Sequence, residues 1–242
     1  MFAQIEPLEF IKHRDLRLSS VSGFGFAQEV TCVKLSFSEF RQASRYYPIV
    51  FLEDSPFLPQ ALLSLNNSES VCIDKNGQWK FPYIPAFFRL YPFTLAKIQE
   101  KENEYALCLD PQADHFKVGM GEPLFTADGE LSDFLKNNIQ KNLEIYHSEL
   151  ESTESVFREM DEMNLFENKS FSYTFAGEEK KIEGFKGINL EKLKELSDKD
   201  LARMARQGNM GLIHEHVNSF SSFNNLIAAS LPPIPGLEPA EQ

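Results

Sequence analysis

Residues 81–93 read Phe-Pro-Tyr-Ile-Pro-Ala-Phe-Phe-Arg-Leu-Tyr-Pro-Phe, and the rest of the chain is organised around this stretch. It contains six aromatic rings, three prolines and one charge, that of Arg89. Proline fixes φ and pushes the preceding residue toward extended conformations, so this aromatic–proline segment is predicted to be stiff and extended. Since so many rings cannot all face water, most of them are expected to be buried under neighbouring elements.

Arg89 is the first candidate site residue, because it is the lone charge in an apolar block. An arginine in such a place usually has a carboxylate or carbonyl partner. One interpretation is a buried clamp that holds the segment to Glu53, Asp54 or Asp74. The other is an anion anchor for a ligand or for the acidic tail of a partner.

The residues around this segment predict a β-rich N-terminal part. Asn76-Gly77 lies between two alternating runs, 70–74 and 78–81, and is the strongest hairpin signal in the chain. Ser36 is a plausible N-cap for a short helix that ends near residue 45. Pro56 and Pro59 are expected to break the chain before one or two turns at 60–65. Further strands are predicted at 30–35, 46–52, 93–97 and 104–109.

The C-terminal part shows mainly helical spacing. The longest such pattern covers about 130–164, with a candidate break near Ser152. An outlying hairpin is predicted from the alternating runs 170–175 and 181–185. Shorter helices are predicted at 189–196, 198–208 and 211–227.

These patterns predict an α+β fold with a mixed or antiparallel sheet in the N-terminal half and a helical C-terminal half packed on it. We expect one domain, with a β-rich part at 1–123, a mainly helical part at 124–230 and a tail at 231–242.

Composition and charge exclude several classes of function. The net charge is −12 and no cluster of Lys and Arg occurs, which argues against a nucleic-acid partner. No window approaches the ~18 apolar residues of a membrane span, and the N-terminal residues lack a signal-peptide pattern. The three cysteines, at positions 32, 72 and 108, are odd in number and are expected to be reduced. The sequence therefore predicts a cytoplasmic protein without membrane insertion, for which a cell-surface location would require a nonclassical export route.

Few residues show a spacing typical of catalysis or metal binding. His214 and His216 are two apart in a predicted helix, so their imidazoles point in different directions and are not expected to share a metal. His216 is interpreted as a hydrogen-bonded core residue. Cys108 and His115 are a conceivable nucleophile pair, although buried structural cysteines are the favoured interpretation. No cofactor motif is found, and no cofactor or metal is predicted.

Several of these stretches together resemble the SapC family of bacterial proteins. The resemblance extends over roughly residues 5–228. It is carried by the stretches Tyr47-Pro48-Ile49-Val50-Phe51, Gly77-x-Trp79, Tyr83-Ile84-Pro85-Ala86, Arg89-x-Tyr91-Pro92-Phe93, Gly121-Glu-Pro-Leu-Phe125 and Leu212-Ile-His214-x-His216-x-x-Ser219. The family name comes from an association with a bacterial surface layer. The resemblance implies no defined reaction, and it implies a role beside nutrient uptake or peptide modification.

Three hypotheses follow. The leading one is a non-enzymatic binding or accessory protein of an envelope, uptake or modification system, with a protein partner that the aromatic–proline segment contacts. The second is an enzyme or small-ligand-binding protein whose pocket lies between sheet and helices around Arg89 and His216. The third is a surface-layer component that forms homo-oligomers. The candidate ligand- or partner-binding residues are Tyr83, Arg89, Tyr91, His214 and His216.

Overall fold

The computed structural model describes residues 1–21, 23–66, 68–98, 104–175 and 177–231. Apart from Leu231, the predicted tail at 231–242 lies outside the described residues. The strands are β1 (Glu6–Pro7), β2 (Leu16–Leu18), β3 (Cys32–Lys34), β4 (Ile49–Leu52), β5 (Ser55–Leu62), β6 (Phe93–Lys97), β7 (Tyr105–Leu109), β8 (Phe116–Val118), β9 (Glu122–Pro123), β10 (Phe166–Phe175) and β11 (Glu178–Ile188). The α-helices are α1 (Phe10–His13), α2 (Phe40–Ala43), α3 (Ala86–Leu90), α4 (Lys141–Glu162), α5 (Leu190–Lys194), α6 (Asp198–Arg206), α7 (Asn209–Ser219) and α8 (Phe223–Ser230).

The described strands form antiparallel sheets, and together with the helices they confirm the predicted α+β class. The central sheet has the strand order β10-β11-β4-β5-β3. Two smaller sheets have the orders β1-β7-β6 and β8-β2-β9. The helices α4 and α7 pack against the central sheet, α4 on β5 and α7 on β4 and β11.

The C-terminal hairpin is the main correction to the predicted layout. It was expected to be outlying, but its second strand continues the central sheet, because Phe185 and Lys186 of β11 pair with Leu52 and Phe51 of β4. Phe185 and Ile188 are buried, so the end of β11 is apolar where it meets the core. The C-terminal half therefore supplies two of the five central strands.

The positions of two prolines explain two further differences between the predicted and the observed structure. Residues 55–62 form a strand where a break was expected. Pro59 tolerates this position because its missing N–H would point toward Leu35, just beyond the end of β3, while its carbonyl accepts the Leu35 N–H at 2.9 Å. The aromatic–proline segment, expected to be extended, contains the short helix α3 directly after Pro85. Proline suits that place because the first N–H groups of a helix have no partner within the helix.

The turn at Asn76-Gly77 forms as predicted, with Gly77 at φ +77°, but its arms pair only through one bridge between Ile73 and Trp79. The long helix α4 is continuous through Ser152, whose hydroxyl donates to the Ser148 carbonyl at 3.0 Å. The predicted last helix is instead divided into α7 and α8 by a 3₁₀ turn at Phe220–Ser222.

The aromatic–proline segment joins two apolar cores. Its earlier rings, Phe81, Tyr83, Phe87 and Phe88, pack in the core of the central sheet. Its later side chains, Leu90 and Phe93, pack in a second core with Leu109, Leu124 and Leu135. Because each core holds one end of this stiff segment, the segment fixes the cores relative to each other.

Helix α7 is held on the central sheet by two polar contacts. The His216 Nε2 accepts the backbone N–H of Ile188 at 3.0 Å, and the Ser219 hydroxyl oxygen accepts the N–H of Ile49 at 2.9 Å. Both side chains are fully buried. A Cβ at Gly187 would lie 2.9 Å from the Phe220 ring and 3.1 Å from His216 Nε2. The helix therefore lies so close that it leaves no room for a side chain at position 187.

Gly187→Ala is accordingly expected to lower the free energy of unfolding by about 1–3 kcal/mol, because α7 must move off the sheet to accept the methyl group. Gly211→Ala is the matched control, since a Cβ at Gly211 on the same helix meets no atom within 4 Å. It is expected to stabilise by up to about 1 kcal/mol through helix propensity. Urea unfolding of both variants checks this pair, and equal effects of the two substitutions would contradict the close packing of α7.

Candidate ligand site

The aromatic–proline segment is anchored by one buried carboxylate. Glu39 closes the helix turn that begins after Ser36 and accepts the Ser36 N–H at 3.0 Å. Its other oxygen accepts the Tyr83 hydroxyl at 2.7 Å and the Ala86 N–H at 2.8 Å. Glu39 therefore ties the start of α3 to the strand-to-helix turn at residues 36–39.

Tyr83, a predicted site residue, is held from both ends. Its carbonyl accepts the Tyr47 hydroxyl, which in turn accepts the Trp79 Nε1–H at 2.8 Å. Burial is the main cause that raises the pKa of the Tyr83 phenol, and the Glu39 carboxylate adds to the effect. Tyr83 is thus an internal support for the segment, with its hydroxyl already bonded.

Arg89 lies at the surface and has no ionic partner in the described part of the chain. Its Nε donates to the Ile84 carbonyl at 3.0 Å, and its guanidinium lies 5.9 Å from the centre of the Tyr83 ring. The predicted buried clamp is therefore wrong: the side chain is exposed, and its protein acceptor is a carbonyl of its own segment instead of Glu53, Asp54 or Asp74. The reason is helical geometry, because α3 buries Phe88 and Leu90 and turns Arg89 outward.

Arg89 borders a cavity of about 440 Å³ that we call the Arg89 cavity. Most of its lining is apolar and aromatic, and six of its side chains carry polar groups. The lining phenyl rings are Phe24, Phe26, Phe88, Phe93 and Phe134, and the polar groups belong to Ser19, Ser20, Arg89, Tyr91, His115 and Glu122. Two predicted site residues, Arg89 and Tyr91, are therefore brought together.

Tyr91 forms one wall of the cavity. Its ring is stacked on Phe26 with the centroids 4.4 Å apart, and its hydroxyl lies 3.5 Å from Asp110 Oδ2. Burial, and then the Asp110 charge, raise the pKa of Tyr91 to about 12. The phenol consequently stays protonated near neutral pH.

His115 is the cavity residue that sequence reasoning missed as a ligand contact. Its imidazole packs edge-on against the stacked Phe26 and Tyr91 rings, with centroid distances of 5.3 Å and 5.1 Å. Burial lowers its pKa, so the ring is neutral near pH 7. Its Nδ1 is buried and has no hydrogen-bond partner among the described residues. A buried polar atom without a partner is unusual in a folded protein, and the buried His216 Nδ1 in the core is a second example.

The conceivable Cys108–His115 pair is not formed. The Cys108 thiol donates to the Ala106 carbonyl at 3.6 Å, and burial raises its pKa. The pKa values of Cys32 and Cys72 are also raised by burial, that of Cys72 to about 12. All three cysteines are free thiols, and none has the lowered pKa of an activated nucleophile.

The two histidines of α7 lie on different sides of the helix. His214 is exposed, whereas His216 is completely buried against Phe51 and Phe220. His216 is thus the hydrogen-bonded core residue that the sequence indicated, and Arg89 and His216 do not line the same cavity. Within the described ranges, no group of three His, Cys, Asp or Glu side chains is placed to hold a metal ion.

A family model for SapC matches residues 8–226, nearly the whole chain. The chain belongs to the SapC family. No curated protein and no solved structure matches it.

The residues that carry the SapC resemblance divide into two groups. Tyr47, Trp79, Tyr83 and His216 make internal hydrogen bonds that hold the segment and α7 in place. Arg89, by contrast, points away from the core. In the described part of this SapC protein, no helix has the length and apolar character needed to cross a membrane.

Proposed function

We propose that this SapC family member is a binding protein, an accessory to an envelope, uptake or modification system, and that the Arg89 cavity holds its ligand. The ligand class is an anion, a carboxylate in the simplest case, attached to an aromatic or aliphatic body. The observation that carries the proposal is that Arg89, which has no carboxylate partner among the described residues, lines a cavity rich in aromatic rings.

The guanidinium supports this ligand class. The Arg89 Nε is already bonded to the Ile84 carbonyl, which fixes the plane of the group and leaves its terminal nitrogens for an incoming anion. A fixed guanidinium loses less side-chain entropy when it binds a planar anion, and carboxylates suit its fork geometry. The chain as a whole carries a net charge of −12, so an anionic ligand needs such a local cation.

The rest of the cavity supports an apolar ligand body. A volume of about 440 Å³ falls within the ~300–1,000 Å³ typical of small-molecule sites. The neutral His115 ring lines the cavity, and the phenol of Tyr91 stays uncharged. We propose binding instead of catalysis because the cavity combines the Arg89 cation with uncharged rings, the carboxylate of its lining residue Glu122 is exposed, and the described thiols are not activated.

The proposed anion has two sources, a free organic acid or the C-terminal carboxylate of a protein partner. The test uses matched probes: 3-phenylpropionate against 3-phenylpropionamide, and a pentapeptide ending in Phe with a free carboxylate against its amidated form. Binding is measured by ligand-observed NMR. Both neutral probes are expected to bind at least about tenfold more weakly than their acids, because a charge-assisted hydrogen bond is lost. Preference for the peptide acid would identify a partner's C-terminus.

Arg89→Gln is expected to weaken binding of the acids by about tenfold or more and to leave the weak binding of the amides unchanged. Arg45→Gln is the matched control, since Arg45 is also exposed and is not an Arg89-cavity residue. Thermal unfolding of both variants verifies that the fold is kept. Equal affinities of acid and amide, or equal losses of affinity in the two variants, would overturn the proposal.

The hypotheses that the chain forms homo-oligomers and that it is a surface-layer component stay predictions.

A further inference from the structure

A second cavity lies between the edges of two sheets. β3 is the last strand of the central sheet, and β6 is the last strand of the β1-β7-β6 sheet. Residues of both edge strands line a cavity of about 370 Å³ whose remaining wall includes Leu143 and Leu150 of α4. We call this cavity the edge groove. It is distinct from the Arg89 cavity, although Phe93 borders both.

The backbone of β3 presents open hydrogen-bonding groups to its free side. In an antiparallel pair, alternate residues exchange bonds with the partner strand and the residues between them point the other way. The Leu35 N–H donates to the Pro59 carbonyl and the Leu63 N–H donates to the Thr31 carbonyl, so the odd-numbered residues on this side of the pair face β5. The N–H and C=O groups of Cys32 and Lys34 therefore face away from β5. The described side chains supply one partner for them, the Tyr146 hydroxyl, which donates to the Lys34 carbonyl at 3.0 Å.

The same alternation holds on β6. Asp110 donates to the Pro92 carbonyl and Ile98 donates to the Glu104 carbonyl, so even-numbered residues of this strand face β7. The backbone groups of Phe93 and Leu95 consequently face the free side of the sheet. The edge groove is thus bordered by two strands with outward-facing donors and acceptors, the arrangement to which an added strand pairs.

The charges of the edge groove favour an anionic or neutral occupant. Among its described lining residues none is an Asp or Glu, and Lys34 is an exposed cation without an ion pair in the described ranges. This contrasts with a chain that has 36 acidic and 24 basic residues. The side chains of Val33, Leu90 and Leu95 supply apolar surface along the groove.

We propose that the edge groove binds an extended peptide segment of a partner protein by strand addition. The segment would pair its backbone with the N–H and C=O of Cys32 and with the N–H of Lys34 on β3. Its alternate apolar side chains would face the groove, and an acidic residue would lie beside Lys34. The outward backbone groups argue for a peptide instead of an alkyl chain, which would leave them without partners. This inference does not depend on the ligand of the Arg89 cavity.

The test begins with a phage-displayed library of random seven-residue peptides selected on the whole chain. Enriched peptides are then synthesised, and their affinities are measured by fluorescence anisotropy. We expect enriched peptides to contain alternating apolar residues and an acid. N-methylation of every second peptide residue is expected to weaken binding by at least tenfold in one phase of the alternation and by less than threefold in the other. That pattern is specific to a peptide bound as a strand.

Two further measurements place the peptide. Cys32 is partly exposed, whereas Cys72 and Cys108 are buried, so bound peptide is expected to slow alkylation of Cys32 by N-ethylmaleimide at least fivefold. Lys34→Pro removes an outward N–H without breaking a bond to β5, and is expected to weaken binding at least tenfold. Lys34→Ala keeps that N–H and is expected to weaken binding less than about fivefold, as for an exposed ion pair.

Four results would overturn the inference. They are the absence of any enriched peptide, N-methylation effects without alternation, unchanged alkylation of Cys32 at saturation, and a concentration-dependent dimer that itself protects Cys32. The last result would assign the edge groove to a second copy of the chain. The N-methylation and alkylation measurements use the wild-type protein, so the test stands even if Lys34→Pro does not fold.

Discussion

Replacing Glu39 with alanine is expected to lower the free energy of unfolding by at least about 3 kcal/mol. The carboxylate is buried and accepts the backbone N–H groups of Ser36 and Ala86 together with the Tyr83 hydroxyl. Alanine leaves three donors without their acceptor, and each unsatisfied buried donor costs about 1–3 kcal/mol. The loss also frees the aromatic–proline segment, which joins the two cores.

Glu149→Ala is the matched control for this substitution. Glu149 accepts the Ser36 and Ser38 hydroxyls at 2.8 Å and 2.5 Å, but it lies nearer the surface, where water replaces a lost acceptor. Its removal is expected to lower the free energy of unfolding by about 1 kcal/mol or less. Urea unfolding followed by tryptophan fluorescence reports on both variants, since Trp79 packs in the same region. If Glu39→Ala lowers the free energy of unfolding by no more than Glu149→Ala does, Glu39 is not the anchor of the aromatic–proline segment.

Acid is expected to destabilise the fold well before most carboxylates are protonated. Burial lowers the pKa of His216 to about 3 from a usual 6.5, with Lys169 adding to the shift and the Ile49 backbone opposing it. Between these pH values the unfolded chain binds a proton that the folded chain does not. The His216 contribution is therefore fully present above about pH 6.5 and is lost as the pH falls toward 3. The expected slope approaches about 1.4 kcal/mol per pH unit.

Two measurements separate His216 from other titrating groups. The imidazole resonances of His216 in the folded protein are expected to show the neutral form down to about pH 4. The free energy of unfolding is measured by urea at pH 7, 6, 5 and 4. The pKa of His115 is also lowered by burial, so His115 adds to the loss of unfolding free energy as the pH is lowered. A His216 ring that becomes protonated near pH 6.5 without loss of structure would contradict the close docking of α7.

Much of the fold could be predicted from patterns among residues that are close in the sequence. The Asn76-Gly77 turn, the cap at Ser36 and the strands predicted at 93–97 and 104–109 depend on residues close in the chain, and all are present. The strand through Pro59 could not be predicted, because its stability depends on which side of the proline faces a neighbouring strand. The place of the C-terminal hairpin likewise depends on pairing across more than 100 residues, between β11 and β4.

The candidate site was predicted only in part, for a similar reason. Arg89 and Tyr91 were identifiable as polar groups in an apolar block. The acceptor of Arg89 was misjudged, because the helix α3 that turns it outward was not predicted. His115 showed no spacing signal of its own, since the Phe26 and Tyr91 rings that it contacts come from distant parts of the chain. Its unpartnered Nδ1 is visible only once those rings are in place.

The most direct test of the ligand site is an NMR titration of the folded protein with 3-phenylpropionate that follows the Arg89 Nε–H and His115 imidazole resonances. Both resonances are expected to shift and to reach saturation together, with an affinity that is lost in Arg89→Gln and kept in Arg45→Gln. Saturable shifts confined to other residues, with Arg89 and His115 unchanged, would contradict the proposed site and would place the ligand elsewhere on the protein.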